Sequence, residues 1–131
     1  MDWKVRAIRG ATTASANTYK AIQEAVTELL TELQQRNQID PDDIISATFT
    51  ATQDLDAVFP AAIARQCFGW EQVPLLDVQH MHVEGAMPLC IRLLIHINLP
   101  LDCAPVKHIY LREAASLRED LNYSEISGSC A

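Results

Sequence analysis

The chain has 131 residues, 49% of them hydrophobic and 21% charged, and a formal net charge of -7 at pH 7. This composition predicts one globular domain and excludes a largely disordered chain. The negative charge argues against nucleic acid or an anionic membrane as the main partner, because both attract clustered Lys and Arg. The N-terminus lacks an apolar signal-peptide core and no apolar run reaches the ~20 residues of a spanning helix, so we expect a cytoplasmic protein.

Apolar periodicity and turn residues predict seven elements in the order β-α-β-α-β-β-β. An apolar stripe at helical spacing follows Asn17, a candidate N-cap, and Pro60 suits the first turn of a second, shorter helix. Alternation and β-branched residues indicate the strands. The predicted strands are Trp3–Arg9, Ile44–Ala51, Val73–Val78, Met87–Leu99 and Lys107–Arg112, and the helices are Thr18–Arg36 and Pro60–Cys67.

These elements favour the α+β class, a mixed β-sheet with helices packed on one side, because a helix with one apolar stripe needs a sheet to cover. We expect a single domain over residues 1–121. The polar residues 122–131 are expected to form a flexible tail.

Three arginines, Arg9, Arg65 and Arg92, stand singly in apolar surroundings. A guanidinium in such a place is costly unless an anion meets it, so these arginines predict a local anion-binding site. For Arg92 the alternative is a structural ion pair with an acid such as Glu84.

The cysteines and histidines do not indicate a metal site. The four cysteines have no metal-ligand spacing, and we interpret them as reduced thiols. His80 and His82 share strand parity and could be combined with His96 or Cys90 as zinc ligands, but their spacing does not support it. No metal and no cofactor are therefore expected.

Two segments resemble motifs of the AroH-class chorismate mutases. Residues 8–13, IRGATT, resemble the N-terminal motif, and residues 51–61, ATQDLDAVFPA, resemble the central active-site loop. Further matching segments follow in the family's order at Gly69-Trp70, Val73-Pro74, Cys90–Arg92, His108–Leu111 and Leu117-Arg118. The resemblance implies a homotrimer, described as a pseudo-α/β barrel, with active sites in clefts between its subunits.

The resemblance also implies an activity, the conversion of chorismate to prephenate in phenylalanine and tyrosine biosynthesis. This intramolecular 3,3-sigmatropic rearrangement needs no proton transfer, nucleophile, metal or cofactor. An enzyme accelerates it by holding the dianionic substrate in its compact conformer and by placing fixed charge where the transition state polarises.

Site residues follow from the same resemblance. Arg92 is expected to bind the ether oxygen that gains negative charge, while Arg9 and Tyr110 bind the side-chain carboxylate. The remaining substrate-binding positions are expected at the wall and rim of the cleft, with Phe59 contributed by the neighbouring subunit. They are Phe59, Ala61, Arg65, Leu76, Leu117 and Arg118.

The chain departs from the family pattern at three positions. His80 stands where the family has a glutamate that accepts a hydrogen bond from the ring hydroxyl, Asp77 replaces a cysteine, and Ala62 replaces a rim lysine. Neutral His80 could accept that bond but could not supply negative charge. We therefore hypothesise that Asp77 supplies the charge and that Asp77→Asn lowers turnover more than His80→Gln. In an ideal strand, however, positions 77 and 80 point to opposite faces.

Two alternatives remain at this point. The first is an imine deaminase of a similar trimeric type, whose arginine-lined cleft also binds small carboxylates. The second is a trimer that binds a small carboxylate without catalysis.

Overall fold

The computed structural model of the protein describes residues 2–121, so the predicted tail at 122–131 lies outside the described residues. Within this range the elements follow the predicted order β-α-β-α-β-β-β, with short 3₁₀ turns at Pro41–Asp43, Arg112–Ser116 and Glu119–Leu121. The strands are β1 (Trp3–Thr13), β2 (Ile44–Ala51), β3 (Leu75–Gln79), β4 (Cys90–Pro100) and β5 (Ile109–Tyr110), and the helices are α1 (Tyr19–Asn37) and α2 (Pro60–Gln66).

The strands of residues 2–121 form one mixed sheet in the order β3-β2-β4-β1-β5. β4 lies at the centre and runs antiparallel to β1 and β2, while β3 and β5 join the two edges in parallel. The predicted α+β class with a mixed sheet is confirmed.

One face of the sheet, called here the helix-covered face, forms the core with α1 and α2. Alternate residues of β4 from Ile91 to Ile97 are buried on it, beside Ile8 of β1 and Phe49 of β2. A Cβ atom at Gly10 would lie 3.3 Å from Cδ1 of Leu29, so the absent side chain lets α1 approach β1 closely. The α1 residues that pack here are Ile22, Val26, Leu29, Leu30 and Leu33.

The opposite face, called here the open face, is covered near Ala11, where Ala114 of the turn Arg112–Ser116 packs against Ala11 and Tyr110, but not along β4. The remaining β4 residues from Arg92 to Asn98 lie on it and are exposed. Apolar side chains are exposed there as well, since Val5 is 51% exposed, Leu76 60% and Leu94 40%.

Several element boundaries differ from the sequence prediction. β1 pairs with β4 as far as Thr13, so Arg9 lies within the strand and not at its end. β5 is shorter than predicted, because Arg112 leaves the strand at φ 54° and its guanidinium binds Glu28 at 2.9 Å. β4 begins at Cys90 instead of Met87, because Leu89 has a φ of 52°.

The N-cap of α1 is Thr18 and not Asn17. Oγ1 of Thr18 accepts a hydrogen bond from the Ala21 N–H at 3.1 Å. Asn17 has another role, because its Oδ1 accepts hydrogen bonds from the N–H groups of Asp56 at 3.0 Å and Ala57 at 3.1 Å. It thereby fixes the loop that leads to Phe59.

Candidate active site

Arg9, Arg92 and Tyr110 surround Ala11 on the open face. The sheet register pairs Ala11 with Arg92 on one side and with Tyr110 on the other. Because neighbouring strands lie ~4.8 Å apart, the Cα atoms of Arg92 and Tyr110 are roughly 10 Å apart, and Arg9 lies two residues, or about 7 Å, along β1. Ala11 itself is fully buried against Tyr110 and Ala114, so Arg9, Arg92 and Tyr110 lie on one face of the sheet around this small cluster.

Neither Arg9 nor Arg92 forms a salt bridge within residues 2–121. The salt bridges found there are Arg36 with Glu32, Arg112 with Glu28, and Arg118 with Asp120. The ion pair of Arg92 with Glu84, considered from the sequence, is therefore not formed within the described chain. Arg92 is exposed on the open face, so the desolvation cost expected for an embedded arginine is small.

His80 lies on the same side of the sheet as Arg92. Its backbone N–H donates to the carbonyl oxygen of Ala51 at 3.0 Å, and the ring atom Nδ1 lies 3.1 Å from Oγ1 of Thr50. Thr50 pairs with Arg92 in the β2–β4 register, which places the imidazole next to the guanidinium. Burial, followed by the charge of Arg92, lowers the pKa of His80 below its ordinary value.

Leu117 and Arg118 lie next to Tyr110 after the last strand. Leu117 packs against the small cluster of Ala11, Tyr110 and Ala114. The Arg118 guanidinium binds the Asp120 carboxylate through two hydrogen bonds of 2.9 and 3.1 Å.

His108 lies close to the same cationic groups. Its Nδ1 accepts a hydrogen bond from the backbone N–H of Arg9 at 2.9 Å. Burial lowers the pKa of His108, and the charges of Arg9 and Arg118 lower it further. These effects favour the neutral form of His108, whose Nδ1 can accept this hydrogen bond from the strand that carries Arg9.

A second group of predicted residues lies around α2, away from Arg92. Phe59 precedes the helix and is 68% exposed, Ala61 is buried in its first turn, and Arg65 lies in its last turn. The side chain of Phe59, at the N-cap position, makes no capping hydrogen bond to α2. Oδ1 of Asp77 caps the helix instead, by accepting a hydrogen bond from the Ala61 N–H at 3.0 Å. Phe59 and Asp77 line the same cleft.

Within one chain, Asp77 and Arg92 lie on opposite faces of the sheet. Asp77 pairs with Phe49 in the β2–β3 register and so lies on the helix-covered face, whereas His80 lies with Arg92 on the other side. Leu76, its neighbour in β3, is on the open face. Burial raises the pKa of Asp77, while the Ala61 N–H and the charge of Arg65 oppose that rise.

Two polar residues that were not predicted from the sequence hold this region together. Thr50 binds the His80 ring, and alternation along β2 could have placed it on the side of Arg92. Both carboxylate oxygens of Asp54 accept from the Leu89 N–H, at 3.0 and 3.2 Å, and tie the active-site loop to the start of β4. No sequence signal indicated that contact, because it joins residues 35 positions apart.

The described residues contain no group of three His, Cys, Asp or Glu side chains that could hold a metal ion. Nor do residues 2–121 contain a helix that is long and apolar enough to cross a membrane.

Comparison with known proteins identifies the family. The model of the family described as chorismate mutase type I matches residues 5–121. The chain belongs to this family. It is 35% identical to chorismate mutase AroH of Bacillus subtilis over 121 residues, covering 92% of this chain and 95% of that protein. Identity to chorismate mutase AroH of Thermus thermophilus is 41% over 122 residues, covering 92% and 99%.

A solved structure agrees with the sequence comparisons. The chorismate mutase from Clostridium thermocellum superposes with a TM-score of 0.76 at 42% identity, and the match covers 83% of this chain and 96% of that one. The α+β fold is therefore that of a chorismate mutase.

Proposed function

We propose that this protein is a cofactor-independent chorismate mutase that converts chorismate to prephenate in the cytoplasm. The observation that carries the proposal is the grouping of Arg9, Arg92 and Tyr110 around Ala11. Two neighbouring guanidinium groups on one face of the sheet, neither in a salt bridge within the described chain, suit a small dianion. Family membership identifies that dianion as chorismate and favours a mutase over the imine deaminase alternative.

The three groups divide the work of the rearrangement. Arg9 and Tyr110 bind the side-chain carboxylate and hold the substrate in its compact conformer. Arg92 donates hydrogen bonds to the ether oxygen, which gains negative charge as the C–O bond breaks. An acceleration of about 10⁶-fold corresponds to only ~8 kcal/mol, which orientation and a few ionic hydrogen bonds can supply.

The site is completed by a second copy of the chain in a homotrimer. Two features of the described residues support this assembly: the uncovered apolar residues of the open face, and Phe59, which is 68% exposed although it is a large apolar side chain. In the proposed cleft, the group of Arg9, Arg92 and Tyr110 of one copy faces the group around α2 of the next. Phe59 and Ala61 then form its wall, with Arg65 at its rim.

This arrangement also gives Asp77 and His80 separate places in one site. Asp77 belongs to the group around α2, and His80 belongs to the group around Arg92. Each site takes its Asp77 from one copy and its His80 from the other. Asp77 then supplies negative charge to the electron-poor ring, and His80 accepts the hydrogen bond of the ring hydroxyl.

The test is to follow chorismate loss and prephenate formation with the purified protein and with two Arg92 variants. Arg92→Ala should lower kcat by about 10² to 10³-fold, the effect of removing one preorganised donor to a developing oxyanion. Arg92→Lys should recover little of it, because lysine keeps the charge but loses the planar fork of donors. Lys4→Ala, which removes an exposed cation from the same strand as Arg9, should leave the rate unchanged.

Each other result identifies a different function. Imine hydrolysis without prephenate formation would favour the deaminase, and binding of chorismate without turnover would favour a non-catalytic trimer. Wild-type activity in Arg92→Ala would refute the role given to Arg92.

A further inference from the structure

We infer that Thr50 is a positioning residue that holds the His80 ring in the tautomer whose Nε2 accepts the hydrogen bond of the substrate's ring hydroxyl. The inference rests on the proposed function and goes beyond it in two ways. It gives a role to Thr50, and it places the proton of His80 on Nδ1.

His80 is held at two points, one on its backbone and one on its ring. The backbone N–H of His80 is bonded to Ala51 at 3.0 Å, and Nδ1 lies 3.1 Å from the Thr50 hydroxyl oxygen. Thr50 itself is fixed in the middle of the sheet, since it pairs with Arg92 on one side and with Val78 on the other. The ring at the end of β3 is therefore held beside Arg92 by a side chain of a neighbouring strand.

The position of the proton follows from the groups around the ring. A neutral imidazole has one donor and one acceptor, and a threonine hydroxyl can bond to either. If Nε2 carried the proton, an N–H donor would face the substrate beside the guanidinium of Arg92. With the proton on Nδ1, Thr50 accepts it and Nε2 keeps a lone pair. This lone pair can accept the hydroxyl hydrogen bond that the family's glutamate would accept.

The inference is tested with three variants on one strand. Thr50→Val removes the hydroxyl but keeps the shape, and Thr50→Ser keeps the hydroxyl. Thr48→Val is the matched control, because Thr48 lies two residues earlier on the same face, where it pairs with Leu76 and Leu94 instead of Arg92. For each variant, kcat, KM and the melting temperature are measured.

Thr50→Val should lower kcat by roughly tenfold, the size of one neutral hydrogen bond, with little change in KM or melting temperature. Thr50→Ser should retain most of the rate, and Thr48→Val should match the wild type. In a His80→Ala background, Thr50→Val should cause no further loss, because Thr50 acts through the ring.

NMR of protein labelled with ¹⁵N-histidine gives a second readout that does not depend on activity. Long-range ¹H–¹⁵N correlations should show the His80 proton on Nδ1 in the wild type, and a different mixture of tautomers in Thr50→Val. A proton on Nε2 in the wild type, or equal kcat in Thr50→Val and the wild type, would overturn the inference. A wild type without mutase activity would instead refute the proposed function, while the tautomer measurement would still test the contact.

Discussion

Two variants with low activity should restore each other's activity when they are mixed, if each site takes residues from two copies. Arg92→Ala removes a cation from the open face, and Asp77→Asn removes a charge from the group around α2. In a closed trimer each chain contributes one half of a site to each neighbour. When the two variants assemble at random from equal amounts, about a quarter of the sites take Arg92 from an Asp77→Asn chain and Asp77 from an Arg92→Ala chain, so both residues are intact there.

The size of the Asp77→Asn effect follows from its contacts. Asparagine keeps an oxygen that can accept from the Ala61 N–H, so α2 retains its cap and the variant should fold. The change removes a charge, and an ionic hydrogen bond contributes about 1.5 to 3 kcal/mol. The expected loss in kcat is therefore about 10 to 100-fold.

The assay is the initial rate of chorismate loss after the two variants are unfolded and refolded together, compared with each variant refolded alone. The matched control mixes Arg92→Ala with His80→Ala. Arg92 and His80 lie on the same side of one chain, so no site in that mixture can contain both residues and the rate should stay low. The reasoning fails if the first mixture shows no recovery, or if the control recovers equally.

Two further predictions concern stability. The Oγ1 of Thr12 is buried on the helix-covered face and has no hydrogen-bond partner within residues 2–121. Thr12→Val should therefore raise the free energy of unfolding by about 1 kcal/mol in denaturant titrations. Thr13→Val should lower the free energy of unfolding, because Oγ1 of Thr13 accepts a hydrogen bond from the Glu113 N–H at 3.4 Å. The same change in the free energy of unfolding for both variants would contradict these roles. In the folded chain, burial and then the charges of Arg9 and Arg118 lower the pKa of His108. His108 therefore binds a proton more tightly in the unfolded chain than in the folded one. Stability should thus fall as the pH drops below about 6.5, the ordinary value. His108→Asn keeps an acceptor for the Arg9 N–H. Its melting temperature should fall less than that of the wild type when the pH is lowered from about 7 to about 5.

Periodicity predicted the order of the elements and the class of the fold, because strands and helices with one buried face leave a clear apolar pattern. The same apolar pattern explains why Arg92 was expected to be embedded but is exposed. In the run from Leu89 to Ile95 the arginine looks embedded in apolar residues. Its neighbours Ile91 and Leu93 turn to the core, however, and Arg92 turns to the open face.

Strand register could not be predicted from the sequence, and register decides which groups meet. Ala11 lies between Arg92 and Tyr110 only because β1 pairs with β4 and β5 at those positions. The element boundaries near the site were hidden for a similar reason. Leu89 and Arg112 have positive φ without being glycine, and distant side chains hold them there, since Asp54 binds the Leu89 N–H and Glu28 binds Arg112.

Two of the three departures from the family pattern, at His80 and Asp77, are best understood as one exchange between the halves of the proposed site. Replacing the glutamate by His80 removes a negative charge beside Arg92, and replacing the cysteine by Asp77 adds one on the other half. In a cleft between copies, these two replacements together leave the charge around the substrate unchanged, and only the loss of the rim lysine at Ala62 makes it more negative. Asp77 is bonded to the first turn of α2 and lies in the field of Arg65. The charge therefore lies on β3, hydrogen-bonded to the first turn of the helix that carries Ala61 and Arg65, so Asp77 and the proposed rim belong to the same half of the site.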